Sequence, residues 1–356
     1  MGLDVQNGYQ GDIPFSNYPD FSQQGYQVIQ QLGRNQQAGR TTYLAHAVKT
    51  KEKVVIKEFR FASTSLDWSG LKAYEREIEI LQQLNHERIP RYIDYFETPV
   101  GFYMLQEYKN APSLGLQRSF YPEEIKQIAV SVLEILVYLQ KQVVPIIHRD
   151  IKPENLLVDK QLNAYLVDFG LAQKQGTKIT FSSFAVGTPG FMPPEEQFGY
   201  PLTQASDLYS LGATLICLLT STRSVNIGQL IDAKHRFDFQ RLVPQISPYF
   251  SSWLMKMVEL KRQHRYANAA VALEALKSIP VIGKTTGLET LVTAVKSRKK
   301  TFVLGLAAIG TFATVGATLM NAQSEARNRQ VLEPRECLGL NSSSTCQEEK
   351  LHPQEE

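Results

Sequence analysis

Short runs at 26–29, 41–45 and 54–57, rich in β-branched and aromatic residues and set off by polar loops, predict strands. Two more follow at 92–96 and 102–108. Between the two groups the spacing is helical: over 71–84, Ile78, Leu81 and Leu84 share one side with charge elsewhere, which predicts a helix. A stronger helix opens at Pro122 and carries Ile125, Ile128, Ala129, Val132, Leu133, Leu136 and Leu139. Short apolar runs recur near 146–147, 156–157 and 166–167. Further helices are expected from about Leu208 to Leu219, around Pro248 to Met257 and over 269–276. The strand-rich first third and helical remainder correspond to an α+β fold.

Both ends differ from this body. Residues 1–24 mix Gly, Asn, Gln, Pro and single aromatics without a period, and read as a flexible N-terminal extension in which Phe15, Tyr18 and Phe21 could dock but a loose tail is expected. No basic region with an apolar core follows Met1, and Gln6 argues against myristoylation at Gly2. Residues 301–320 are 20 positions without a charge, apolar all round, directly after Lys296, Arg298, Lys299 and Lys300. That is bilayer length, so one transmembrane helix is expected, with 280–300 as a basic juxtamembrane linker. The basic cluster keeps the preceding domain cytoplasmic and puts the polar tail, 321–356, on the outer side. Small residues four apart, Gly310 with Thr314 and Ala313 with Ala317, would let two spans pack as a homodimer.

Composition narrows the picture little. At 356 residues the chain suits about two domains, and a net charge of +3 gives no reason to expect nucleic acid. Three cysteines exclude a disulfide scaffold or a zinc cluster of usual spacing. Cys217 sits in an apolar helix and reads as a packed core thiol. Cys337 and Cys346 could close one small loop outside the membrane; two free thiols, or a bond between chains, stand as alternatives.

The chemistry lies where polar residues end the short apolar runs. After Ile147 come His148, Arg149, Asp150, Ile151, Lys152, Pro153, Glu154 and Asn155, and after Val167 come Asp168, Phe169 and Gly170. Two acids and an amide so placed are the layout of a site for metal and phosphate. Asp150 can accept or orient the proton of an attacking hydroxyl, and Lys152 can reach a γ-phosphate. Asn155 and Asp168 offer hard oxygen ligands to Mg²⁺.

The unbroken H-R-D-x-x-x-x-N followed by D-F-G resembles the eukaryotic-type (Hanks-type) serine/threonine protein kinases, of the bacterial membrane-anchored kind. The resemblance covers about Tyr26 to Ile279. It implies a two-lobe kinase domain at 25–279, with a small β-rich lobe at 25–108 and a large helical lobe at 109–279. It also implies ATP with Mg²⁺, or Mn²⁺ as an alternative, and Ser/Thr hydroxyls of proteins as substrates, the chain itself included. Lys57, in V-V-I-K, falls where the family's α/β-phosphate lysine sits, and Glu77 where its orienting glutamate sits, with Glu75 and Glu79 as neighbours. Leu32, Gly33 and Gly39 align with the glycine-rich loop. Glu107 and Tyr108 align with the hinge that holds adenine, and Gln106 with the gatekeeper. Asp207 matches the aspartate that braces the catalytic loop, and Arg265 the partner of Glu195. Lys152 and Thr188 fit the serine/threonine branch.

One departure stands out: the loop from Gly33 to Gly39 lacks its middle glycine and has altered spacing. Fewer glycines should weaken or reshape a backbone clamp on phosphate, and Asn35, tolerant of positive φ, could replace one in part. After D-F-G, Thr180 and Ser183 are candidate phosphosites, because a phosphate there could pair with Arg149. A membrane-anchored pseudokinase scaffold is the alternative, favoured only by the altered loop.

Overall fold

The computed structural model describes residues 18–35, 40–60, 68–116, 119–177 and 188–283. Thr180, Ser183, Gly39 and everything from 284 onward, including the expected span at 301–320, Cys337 and Cys346, lie outside the described residues. No helix among the described residues is long and apolar enough to cross a membrane.

Five strands form the small lobe: β1 (Tyr26–Asn35), β2 (Arg40–Ala47), β3 (Lys53–Arg60), β4 (Tyr92–Thr98) and β5 (Gly101–Glu107), in the antiparallel order β1-β2-β3-β5-β4. Helix α1 (Trp68–Gln83) presents Tyr74, Ile80 and Leu81 to a core shared with Phe59 and Met104. Alternation along the strands sends Val54, Ile56, Tyr103 and Leu105 to a second cluster, where they pack with Phe21.

The tail expected over 1–24 is therefore not loose from Tyr18 on. Phe21 is 3% exposed and meets the rings of Tyr103 and Phe96 edge-on, with centroids 5.0 and 5.4 Å away. Burying an aromatic ring outweighs the entropy of ordering a few residues, which periodicity cannot report for so short a segment. Beneath this cover Glu58 is buried yet satisfied, accepting hydrogen bonds from Tyr43 Oη at 2.9 Å, Tyr103 Oη at 3.1 Å and Arg60 Nε at 3.0 Å.

The large lobe is built on α2 (Pro122–Gln140) and α4 (Ser206–Leu219). Pro122 sits where a missing N–H costs nothing, and Glu124 accepts the Tyr121 N–H at 2.7 Å, so the start of α2 is fixed locally. All 14 residues of α4 are buried, Cys217 among them as a free thiol that burial pushes up to about 12. Helices α5 (Pro248–Met257) and α6 (Ala269–Lys277) are N-capped by Ser247 and Asn268 and close the lobe around Trp253. Ordered packing runs slightly past the expected limit of 279: Val281 is buried and Ile282 bridges Ile246.

Between α2 and α4 run two short strand pairs, β6 (Ile146–Ile147) with β9 (Gln173–Lys174) and β7 (Leu156–Val158) with β8 (Ala164–Leu166). A four-residue helix, α3 (Pro194–Gln197), follows. Removing the Phe21 ring should leave a cavity and cost about 3 kcal/mol. Chemical denaturation of Phe21→Ala checks this, and a midpoint equal to wild type would place the ring outside the fold.

Candidate active site

The segment His148–Asn155 leaves β6 and enters β7, and its backbone is set by a buried carboxylate. Asp207, near the start of α4, accepts the N–H of His148 at 2.8 Å and of Arg149 at 2.9 Å. Burial raises the Asp207 carboxyl to about 6, and these two hydrogen bonds act against that rise. Arg149 is thereby held at φ 70°, a left-handed geometry uncommon for a residue with a Cβ. His148 is buried too, and burial lowers its pKa to about 4, so the ring is neutral. Its Nδ1 accepts the Asp150 N–H at 3.3 Å, which leaves Nε2 to donate to the Val167 carbonyl at 3.2 Å.

Pairing of β7 with β8 brings the two metal candidates together. The Asp159 carboxylate holds the turn by accepting the N–H groups of Gln161 and Asn163, each at 2.9 Å. Beyond the pair, Val167 N–H donates to the Asn155 carbonyl at 3.0 Å, placing Asn155 beside Asp168. Asp168 also takes a positive φ, 65°, which turns its carboxylate into the cleft between the lobes.

There Lys57 of β3 donates to Glu77 Oε1 at 2.6 Å and Asp168 Oδ1 at 2.9 Å. Burial works against the Lys57 charge, but Asp168 and then Glu77 more than offset it and hold the ammonium above its usual range. For Asp168 burial opposes ionisation as well. The Lys57 charge and hydrogen bond, followed by the charge of Arg40, hold the carboxyl well below the carboxylate range. Glu77 is the glutamate facing Lys57, while Glu79 bonds Lys174 at 2.8 Å on the outside.

Asp150 sits in a tight polar group. Asn155 Nδ2 donates to Asp150 Oδ2 at 2.7 Å, which leaves the Asn155 amide oxygen for another partner. Lys152 Nζ lies 2.9 Å from Asp150 Oδ2 and donates to Thr188 Oγ1 at 2.9 Å; that hydroxyl donates to Asp150 Oδ1 at 3.2 Å. Thr188, read from sequence only as a branch marker, thus touches both charged residues. Glu195 and Arg265 form a buried two-pronged pair at 2.7 and 2.8 Å.

The Arg149 guanidinium, expected to pair with a phosphate at Thr180 or Ser183, which lie outside the described residues, already has protein partners. Its Nε and one terminal nitrogen donate to Glu196 Oε1 at 2.8 and 2.5 Å, and another donates to Gln173 Oε1 at 3.3 Å. Arg149 and Glu196 are both buried. In sequence Glu196 is one of two adjacent glutamates, and nothing local marks it as a buried counter-ion.

The cleft encloses about 1150 Å³ and is lined by Leu32, Gly33, Glu107, Tyr108, Lys57 and Asp168, among others. Glu107 is engaged by Lys109 at 2.8 Å and Arg91 at 3.3 Å. Gln106 is buried, its amide 3.6 Å from Met104 Sδ. Asn35, expected to stand in part for the missing glycine, lies at the end of a strand. It belongs to β1 and pairs with Arg40, because the ladder continues that far toward the loop.

A model of the protein kinase domain matches residues 26–277. Serine/threonine-protein kinase B of Synechocystis sp. is 36% identical over 221 residues, 57% of this chain and 37% of its own length. Serine/threonine-protein kinase D of the same organism is 31% identical over 268 residues, 71% of this chain and 52% of its own. Serine/threonine-protein kinase PrkC of Bacillus subtilis is 30% identical over 200 residues, 55% and 30% of the respective lengths. The chain therefore spans about half or less of these relatives. With the family model laid over both lobes and the residues around Lys57, Asp150 and Asp168, the chain belongs to the protein kinase family, in its eukaryotic-type serine/threonine branch.

Proposed function

We propose that the chain transfers the γ-phosphoryl group of ATP to Ser and Thr hydroxyls of proteins, itself among them. The observation that carries this reading is the joint geometry of Lys57 bonded to both Glu77 and Asp168 and of Asp150 bonded to Asn155 and Lys152. Such transfer asks the protein mainly for position and charge. Lys57 is placed for the α/β-phosphates and Lys152 for the γ-phosphate. The substrate hydroxyl would meet Asp150 Oδ1, where Thr188 now donates. As the substrate oxygen forms its bond to phosphorus, the bond to the β-phosphate oxygen breaks, ADP departs with that electron pair, and the hydroxyl proton passes to Asp150.

The donor set fits a hard divalent cation: the Asn155 amide oxygen, turned free by its Nδ2 bond to Asp150, and the ionised Asp168 carboxylate. Mg²⁺ held there would neutralise charge on the phosphates during transfer; Mn²⁺ suits the same oxygens. The uncharged stretch 301–320 behind a basic cluster supports a single-pass anchor with the kinase domain cytoplasmic, and its small residues support pairing of two such chains.

Because Glu196 already holds the Arg149 guanidinium, transfer in this reading does not wait on a phosphate between 177 and 187. With labelled MgATP, wild type should label itself and a generic protein substrate. Asp150→Asn should lose transfer by a factor of roughly a thousand while keeping a melting temperature near wild type, and Lys57→Ala should lose a similar factor but melt lower, because it leaves Glu77 and Asp168 without their cation. Nucleotide binding by a wild type that transfers nothing would turn the reading to the scaffold. Phosphatase-treated wild type should keep its rate within about twofold, and Glu196→Gln should lose roughly tenfold or more in kcat at near-constant KM for ATP. A collapse of rate on phosphatase treatment would return the role to the loop hydroxyls.

A further inference from the structure

Of the cationic side chains lining the cleft among the described residues, three lie beside the acids Asp168 and Asp150, and two of these are already engaged. Lys57 is bonded to Glu77 and Asp168, and Lys152 to Asp150 and Thr188. The third is Arg40, the first residue of β2, which pairs with Asn35 on one side and Phe59 on the other. Its guanidinium lies over the Phe59 ring, 4.9 Å from the centroid, and lines the cleft.

The direction of this side chain is the informative point. An arginine at the end of a strand ordinarily lays its stem on apolar surface and puts its charge in water. Arg40 instead points inward: a Cβ placed on Gly170 would be 2.6 Å from Arg40 Nη1, 3.2 Å from Glu77 Oε2 and 3.4 Å from Asp168 Oδ1. The glycine of D-F-G thus leaves room for the guanidinium beside the two acids. Among the described residues the Arg40 side chain makes no hydrogen bond or ion pair, and Glu77 Oε2 is buried without a hydrogen-bond partner at the same spot. A forked cation with unspent donors, facing a cleft, is built to receive an oxyanion.

The loop preceding Arg40 lacks the middle glycine whose backbone N–H would approach phosphate, and Asn35 in its place runs extended in the ladder. We propose that Arg40 is a phosphate-binding residue of the nucleotide cleft, its guanidinium supplying to the phosphate chain the donors that the altered loop does not. The ligand class, a nucleoside triphosphate, rests on the kinase reading above. The contact itself needs only binding to be tested.

Calorimetric titration of the full chain with ATP and with adenosine, both in Mg²⁺ buffer, separates the phosphate contact from the base contact. Arg40→Gln keeps a stem over Phe59 and removes the charge. It should weaken ATP binding roughly ten- to a hundredfold and leave adenosine within about twofold, with Arg40→Lys between. Retained adenosine binding reports an intact cleft. Equal weakening of both ligands would make Arg40 a packing residue, and unchanged ATP affinity would leave it only on Phe59; either result overturns the proposal. A wild type that binds neither ligand would strike the nucleotide reading itself.

Discussion

The two hydrogen bonds from the backbone of His148 and Arg149 to the Asp207 carboxylate are the constraint on which the site depends. Asp207 sits on a helix with no exposed face, so its position is set by packing on all sides and cannot drift. That rigidity is transferred to a segment that would otherwise not hold Arg149 at a positive φ. Once Arg149 is fixed, Asp150 follows within hydrogen-bond reach of Asn155, and the β7–β8 pair carries the geometry on to Asp168. A buried acid drawn up to about 6 is costly to maintain, which is why both of its oxygens accept backbone N–H groups.

Around that anchor each buried cation has an acid of its own. Lys57 has Glu77 and Asp168, Arg149 has Glu196, and Arg265 has Glu195. Such pairs add little net stability compared with apolar packing, yet breaking one costs about 3–5 kcal/mol, so they specify arrangement more than they strengthen it. Glu195 and Glu196 are chain neighbours that serve different arginines. A short helix fixed by Pro193 and Pro194 turns the two carboxylates apart, one toward Arg265 and α4 and the other toward the catalytic segment.

The departures from expectation share a cause. Phe21 packs on the outer face of the sheet because Tyr43, Phe96 and Tyr103 happen to stand there, and no window of sequence contains that fact. Asn35 stays extended because its partner Arg40 continues the ladder. Arg149 meets a glutamate 47 positions away, a partner that only three dimensions reveal.

Local pattern was enough to reveal the strand-rich lobe, the helices starting at Pro122 and near Asp207, and the order in which Lys57, Glu77, Asp150, Asn155 and Asp168 occur. Periodicity reports which face of an element is apolar, and motif spacing reports which chemistry a segment can carry, since both are properties of contiguous chain. Which acid holds Arg149, what covers the sheet and where the Arg40 charge points were decided by the tertiary structure. Each is a contact between residues distant in sequence, and its partner is chosen by packing and by the need to leave no buried charge alone.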